Sequence, residues 1–258
     1  MRAMILAAGR GERMRPLTDT TPKPLLQAGG KTLIGWHLER LACAGITDII
    51  INHAWLGSQI EASLGDGSRY GVRLAYSAEP CALETAGGIA QALDFFQDQP
   101  FLVVNGDVWC DWNPARADEV AGLLSASQHQ AWLLLVDNPA HHAQGDFRLH
   151  ADGLVTDVGM PSATTDSAAR RTDAAVPGAG SAARSLTFSG IGIYHPALFT
   201  HIQRGQAAPL APVLRQAMAG RQVLGARHDG QWVDVGTPER LAALDQALSL
   251  RNDTSKHA

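Results

Sequence analysis

Leu6-Ala7-Ala8-Gly9-Arg10-Gly11-Glu12-Arg13-Met14-Arg15-Pro16-Leu17, followed by Thr21-Pro22-Lys23-Pro24, decides how the rest of the chain is read. The apolar run from Ala3 to Ala7 predicts a buried strand ending in a two-glycine turn. Glycines let backbone N–H groups approach phosphate oxygens, and Arg13 and Lys23 supply the charge to meet them. Arg13 can grip two oxygens with its planar fork, whereas Lys23 acts as a point charge stiffened by Pro22 and Pro24. The stretch is not a dinucleotide fingerprint, because Met14 stands at the third glycine position. Nor is it a Walker loop, since no Lys-Ser/Thr pair follows.

Outward from this turn, short apolar runs alternate with helical patterns up to residue 136. Strands are expected at Ile49–Ile51, Val72–Tyr76, Phe101–Val104 and Trp132–Val136. Helices are expected after a Thr32 cap, over Trp55–Leu64 and Thr85–Leu93, and around Ala115–Ser125. The pattern gives an α/β fold, a Rossmann-like and mostly parallel central sheet flanked by helices. Ligands of such sheets sit at the carboxyl ends of the strands, where the glycine turn and Asn105-Gly106-Asp107 both fall.

The second half changes character. Phe147–Leu149, Leu154–Val158 and Leu186–Tyr194 read as antiparallel strands of a smaller lobe, and Pro209–Ala219 and Pro238–Leu248 as helices. Residues 161–184 carry almost no large apolar side chains and are expected to form a flexible surface insertion. The expected organisation is one domain over 1–250, with halves at 1–136 and 137–250 and a disordered tail over 251–258.

Composition narrows the function. A net charge of −4 argues against nucleic acid as partner, and no apolar run approaches the ~20 residues that span a bilayer. Cys43, Cys81 and Cys110 are odd in number and far apart, which fits neither a disulfide frame nor a zinc site. A cytoplasmic protein, monomeric or a small homo-oligomer, is the expectation. The histidines show no His-Glu-x-x-His spacing and no Gly-x-Ser-x-Gly elbow occurs, so metalloprotease and serine-hydrolase chemistry have no support.

Asp107 directly follows an apolar strand and either caps the next turn or offers a hard carboxylate to Mg²⁺. Asp234, within Trp232-Val233-Asp234-Val235-Gly236-Thr237-Pro238, is flanked by apolar residues, and a metal would explain an enclosed carboxylate there. Glu79-Pro80-Cys81-Ala82-Leu83-Glu84-Thr85-Ala86-Gly87-Gly88 is equally a loop capped by Thr85 or a glycine backbone that approaches a nucleobase. Gly145-Asp146-Phe147 reads as turn chemistry, and Gly190 as a bulge or a close approach to a ligand.

The Leu-Ala-Ala-Gly-x-Gly-x-Arg-Met-x-Pro-Leu-Thr stretch, Pro-Lys-Pro, the strand-end Gly-Asp and Trp-x-Asp-x-Gly-Thr-Pro together resemble the sugar-1-phosphate nucleotidylyltransferases over residues 1–248. The resemblance implies a nucleotide-diphospho-sugar transferase type of fold with a small antiparallel lobe on the sugar side. It also implies two substrates, a nucleoside triphosphate and a sugar 1-phosphate, and Mg²⁺ as cofactor. Ile51-Asn52-His53-Ala54-Trp55-Leu56-Gly57, Val104-Asn105-Gly106-Asp107-Val108-Trp109 and Leu186–Ile191 are similar to a UTP-using branch of cell-wall recycling. Glucose or mannose 1-phosphate with UTP, dTTP or GTP is the alternative, and a non-catalytic nucleotide-binding regulatory subunit the second. By this resemblance Ala8, Gly9, Gly11 and Glu12 surround the triphosphate, and Arg13 and Lys23 are the catalytic cations. Glu79, Gly87 and Gly88 sit at the base, and Asn105 contacts the nucleotide. Gly145, Asp146 and Gly190 face the sugar, while Asp107 and Asp234 hold the metal. One departure matters: Val158-Gly159-Met160-Pro161 stands where many relatives have Val-Glu-Lys-Pro, so the lysine that meets the sugar phosphate is missing.

Overall fold

The computed structural model describes residues 1–159 and 183–255. The chain opens with β1 (Arg2–Leu6), forms the hairpin β2 (Gln27–Ala28) and β3 (Lys31–Thr32), and enters α1 (Leu33–Cys43). Thr32 caps that helix as expected, its hydroxyl accepting from Gly35 N at 3.1 Å. Alternation continues through β4 (Asp48–His53), α2 (Gly57–Leu64), β5 (Arg73–Ala78), α3 (Glu84–Gln91) and β6 (Phe101–Asn105). Then follow β7 (Val108–Cys110), α4 (Ala117–Ser125), β8 (Ala131–Val136), β9 (Phe147–Leu149) and β10 (Val155–Asp157). The chain finishes with β11 (Arg184–Tyr194), α5 (Leu210–Ala219), β12 (Val223–Arg227), β13 (Trp232–Asp234) and α6 (Pro238–Ser255).

β6, β1, β4 and β5 are parallel neighbours in that order. Ile49 and Ile51 of β4 face one core cluster with Leu38 and Leu41 of α1, while Ile50 faces the other with Ile89 of α3. Burial on both faces is why the middle of this strand, Ile49–Ile51, is continuously apolar rather than alternating. The carboxyl ends of β1, β4 and β6 therefore emerge together at one rim.

Beyond β6 the sheet turns antiparallel, as expected for Leu186–Tyr194. β11 is not confined to a separate lobe: Ile191–Tyr194 pair antiparallel with β6, and the strand also pairs with β8, to which β12 adds in parallel. Only its beginning, Arg184–Leu186, joins β9, which pairs with β10 as the small antiparallel part. The register of β11 on β8 shifts between Phe188 and Gly192, and Gly190 takes φ 81° there. This is the expected bulge. Of the expected 161–184 insertion, residues 161–182 lie outside the described residues, and Arg184 already begins β11. The last helix runs to Ser255 rather than stopping at Leu248, so 251–255 extend a helix instead of starting a frayed tail. Leu241, Leu244 and Leu248 recur at helical spacing and close a third core cluster with Met14, Trp109 and Val235.

His37 of α1 is 8% exposed, and its Nε2 has no partner among the described residues. Burial lowers its pKa from 6.5 to about 4, against a smaller upward effect of a hydrogen bond with the Val108 backbone; Arg40 lowers it further and Asp107 raises it. An unfolded chain takes up this proton near 6.5 and the folded chain only near 4. Stability is therefore full above the higher value and falls as pH drops towards the lower one, by on the order of 3 kcal/mol. Urea midpoints recorded from pH 7 to pH 4 should show this slope in the parent and a much flatter one in His37→Leu. Equal slopes would contradict it.

Candidate active site

A cavity of about 530 Å³ opens at the rim where β1, β4 and β6 end. Its floor is the glycine turn. Ala7 N donates to Asn52 Oδ1 at 3.0 Å, and Asn52 Nδ2 donates to Glu79 Oε1 at 2.7 Å. Glu79 Oε2 in turn accepts from Leu83 N at 2.8 Å. Asn52 and Glu79 are 2% and 5% exposed, so a satisfied amide–carboxylate chain locks three strand ends together. Gly11 then turns the chain at φ 69°, and its carbonyl accepts from Met14 N (2.9 Å) and the Thr18 hydroxyl (2.8 Å). A Cβ on Gly11 would stand 3.0 Å from Thr18 Cγ2 and 3.3 Å from Lys23 Cβ, so this glycine admits the proline-flanked segment against the turn.

Three cations and two carboxylates gather beside the turn. Lys23 Nζ meets Asp107 Oδ2 at 2.8 Å, the lysine side chain being 8% exposed and the aspartate 40%. Arg240 Nη1 donates to Asp234 Oδ2 at 2.6 Å and to its carbonyl at 3.0 Å, and His141 Nε2 lies 3.7 Å from the same carboxylate. The β7–β13 ladder brings the two aspartates together. Asp234 is in register with Val108, and Val235 N donates to the Asp107 carbonyl at 3.0 Å. Arg13 arrives at the same point: its Nη2 and Asp234 Oδ2 lie 3.3 and 3.1 Å from where a Cβ on Gly236 would stand.

The structure brings Ala8, Gly9, Gly11, Glu12, Arg13 and Lys23 to the cavity wall, with Asn105 and Asp107. Asp234 stands behind Gly236, which lines it. The other expected residues lie off the wall. Glu79 is committed to Asn52 and Leu83 N, and a Cβ on Gly88 would meet its Oε1 at 2.7 Å. Gly87 is glycine because a Cβ would stand 2.4 Å from the Gln206 carbonyl, where Ala86 and Gly87 N–H groups bond Ala208 O. Gly190 leaves room for Asn105, whose Cγ would be 2.8 Å from an added Cβ. Asp146 accepts from Phe188 N at 2.8 Å and pairs with His142, while Gly145 turns at φ 68° beside Asn138. Sequence reasoning missed Asn52, Glu84, His141, Arg240 and Gly236. Asn52 carried a signal, since it follows an apolar strand as Asn105 does, and Glu84 and Gly236 stood inside motifs that assigned them no role.

Asp107 and Asp234 suit a hard cation: both offer carboxylate oxygen, they are ladder neighbours at the cavity edge, and Asp107 Oδ1 has no partner among the described residues. A second group of potential ligands, Cys110, Asp111 and His228, lines no part of this cavity. Burial pushes the Cys110 thiol up to about 11, so it stays protonated at neutral pH. Asp111 is taken by His228 Nε2 at 2.7 Å.

A glycine turn at the carboxyl rim of a parallel sheet, with cations and carboxylates beside it and no cysteine, serine or histidine among the described lining residues, suits transfer between phosphates. The chain belongs to the nucleotidyl transferase family, whose model matches residues 2–249. It is 55% identical over 251 residues to the N-acetylmuramate alpha-1-phosphate uridylyltransferase of Neisseria meningitidis serogroup B, covering 96% of this chain and 98% of that protein. It is also 33% identical to the protein of that name from Caulobacter vibrioides, over 96% of both. Solved structures share the fold at low identity. A Bacillus anthracis protein in complex with a sucrose gives a TM-score of 0.75 at 20% identity, covering 96% of this chain and 95% of its own. HddC from Yersinia pseudotuberculosis complexed with GMP-PN gives 0.68 at 19%, covering 95% and 98%. Among the described residues no helix is long and apolar enough to cross a membrane.

Proposed function

We propose that this nucleotidyltransferase transfers a uridylyl group from UTP to N-acetylmuramate α-1-phosphate, giving UDP-N-acetylmuramate and pyrophosphate in cytoplasmic recycling of the cell wall. The reading rests on one observation, the 55% identity over 96% of the chain to a protein of that activity. The geometry supplies the chemistry. The attacking sugar phosphate oxygen is already an anion near neutral pH, so the step needs positioning and charge rather than a general base. Backbone N–H groups of Ala8, Gly9 and Gly11 receive the triphosphate, Asn105 contacts the nucleotide, and Lys23 and Arg13 stabilise charge on the departing pyrophosphate. Mg²⁺ held by Asp107 and Asp234 would lower the repulsion between the two phosphates. Arg240 and His141 stand beside Asp234 with N–H groups suited to an anion, and we assign them to the sugar phosphate. Gly145, Asp146 and Gly190 shape the loop and strand that border the sugar side.

Pyrophosphate release over a panel of nucleoside triphosphates and sugar 1-phosphates tests this, with and without EDTA. The highest kcat/KM is expected for UTP with N-acetylmuramate α-1-phosphate, and chelation should stop turnover. A tenfold preference for another pair would overturn the assignment.

A further inference from the structure

Among the described residues five non-glycines have positive φ, and of these Glu84 alone lines the cavity. The others, Leu56, Gln97, Asp98 and Arg221, lie elsewhere. Its φ of 57° belongs to the left-handed region, which crowds a Cβ against the following carbonyl and which glycine, asparagine and aspartate normally fill. The surroundings dictate the conformation. Leu83 N is held by Glu79 Oε2 at 2.8 Å, and Leu83 O accepts from Ala208 N at 3.0 Å. Ala86 N and Gly87 N bond Ala208 O at 2.9 and 3.1 Å. The peptide is thus pinned on both sides, and the least strained residue between the pins would be glycine.

Apart from the modest favour that the N-terminal turn of α3 gives any acidic side chain, nothing in the fold rewards a glutamate there. The Glu84 side chain is exposed, caps no N–H of α3, and makes no hydrogen bond or ion pair with any described residue. A strained, unpartnered side chain kept on a ligand cavity points to a contact made by the ligand. The two cavity-wall cations, Lys23 and Arg13, are on the glycine-turn side, so a phosphate has no reason to approach this carboxylate. A carboxylate accepts hydrogen bonds and donates none.

We infer that Glu84 is a specificity-determining residue, whose carboxylate accepts a hydrogen bond from the nucleoside part of the bound triphosphate. The donor is the imide N–H of a uracil-type base or the ribose 2′-hydroxyl. The inference rests on the reading of this cavity as the nucleotide site, and deepens it.

Titration calorimetry with UTP, CTP and dUTP tests it without depending on the transfer reaction. CTP lacks the imide N–H and dUTP lacks the 2′-hydroxyl. The parent should bind UTP about 10–100-fold more tightly than one of these analogues, the size expected for losing a hydrogen bond to a charged group. Glu84→Ala and Glu84→Gly should bring that ratio to within about threefold of unity, while Glu84→Gly melts higher than the parent because its backbone is relieved. A purely structural glutamate would move the melting temperature and leave the ratio intact. Unchanged ratios in both variants, or a parent that does not discriminate, would overturn the role of Glu84. A parent that binds no nucleoside triphosphate would overturn the cavity reading itself.

Discussion

Replacing Lys23 by Met is expected to lower kcat by about 10²–10³-fold, the size seen when one preorganised charge-stabilising donor is removed. Methionine keeps the stem that packs against Gly11 and deletes only the ammonium. Asp107, which loses its partner at 2.8 Å, is 40% exposed and falls back on water, so stability should stay within about 1 kcal/mol of the parent. A collapse of turnover with an intact melting curve is therefore the outcome to look for. A fall in kcat below threefold would remove Lys23 from the transition state.

Asp107→Asn should have the larger effect. Asparagine retains a carbonyl oxygen for Lys23 but lacks the charge a divalent cation requires, and turnover at millimolar Mg²⁺ is expected to fall by at least ~10³-fold. Stability changes in the opposite order to the lysine variant. Lys23 is the enclosed partner at 8% exposure, so weakening its counter-charge costs about 1–3 kcal/mol. Calorimetry with and without Mg²⁺ separates the two effects. The parent should bind UTP more tightly with the metal, and the variant should show no such gain. Full activity of a folded Asp107→Asn protein would end the assignment of this carboxylate.

The parallel half of the fold was legible because its signals are strong and local. Ile49–Ile51 announces a strand buried on two faces, and Thr32 announces a helix start whose cap the structure shows. The elements that went unseen are short or borrowed. β7 and β13 have three residues each, too few for a period to emerge, and they exist because they pair with one another. The glycines after Glu79 were legible as glycines but not as to purpose. Gly87 answers to the Gln206 carbonyl, more than a hundred positions away, and no local pattern encodes that approach. Asp107 and Lys23 stood out through their motifs. Arg240 did not, because an arginine on the first turn of a helix is unremarkable until its partner at Asp234 is seen.

What the sequence determined by itself was the glycine turn, the strand-and-helix alternation that sets it on a sheet rim, and the identities of the four charged residues beside it. These follow from short-range chemistry: hydrophobic period, glycine freedom and the fixed charge of each side chain. Which carboxylate faces which cation was decided by the tertiary structure, as were the withdrawal of Glu79 from the cavity and the forced turn at Glu84. Those outcomes depend on ladder register and on contacts between segments far apart in the chain, and such energies exist only once the sheet has closed around them.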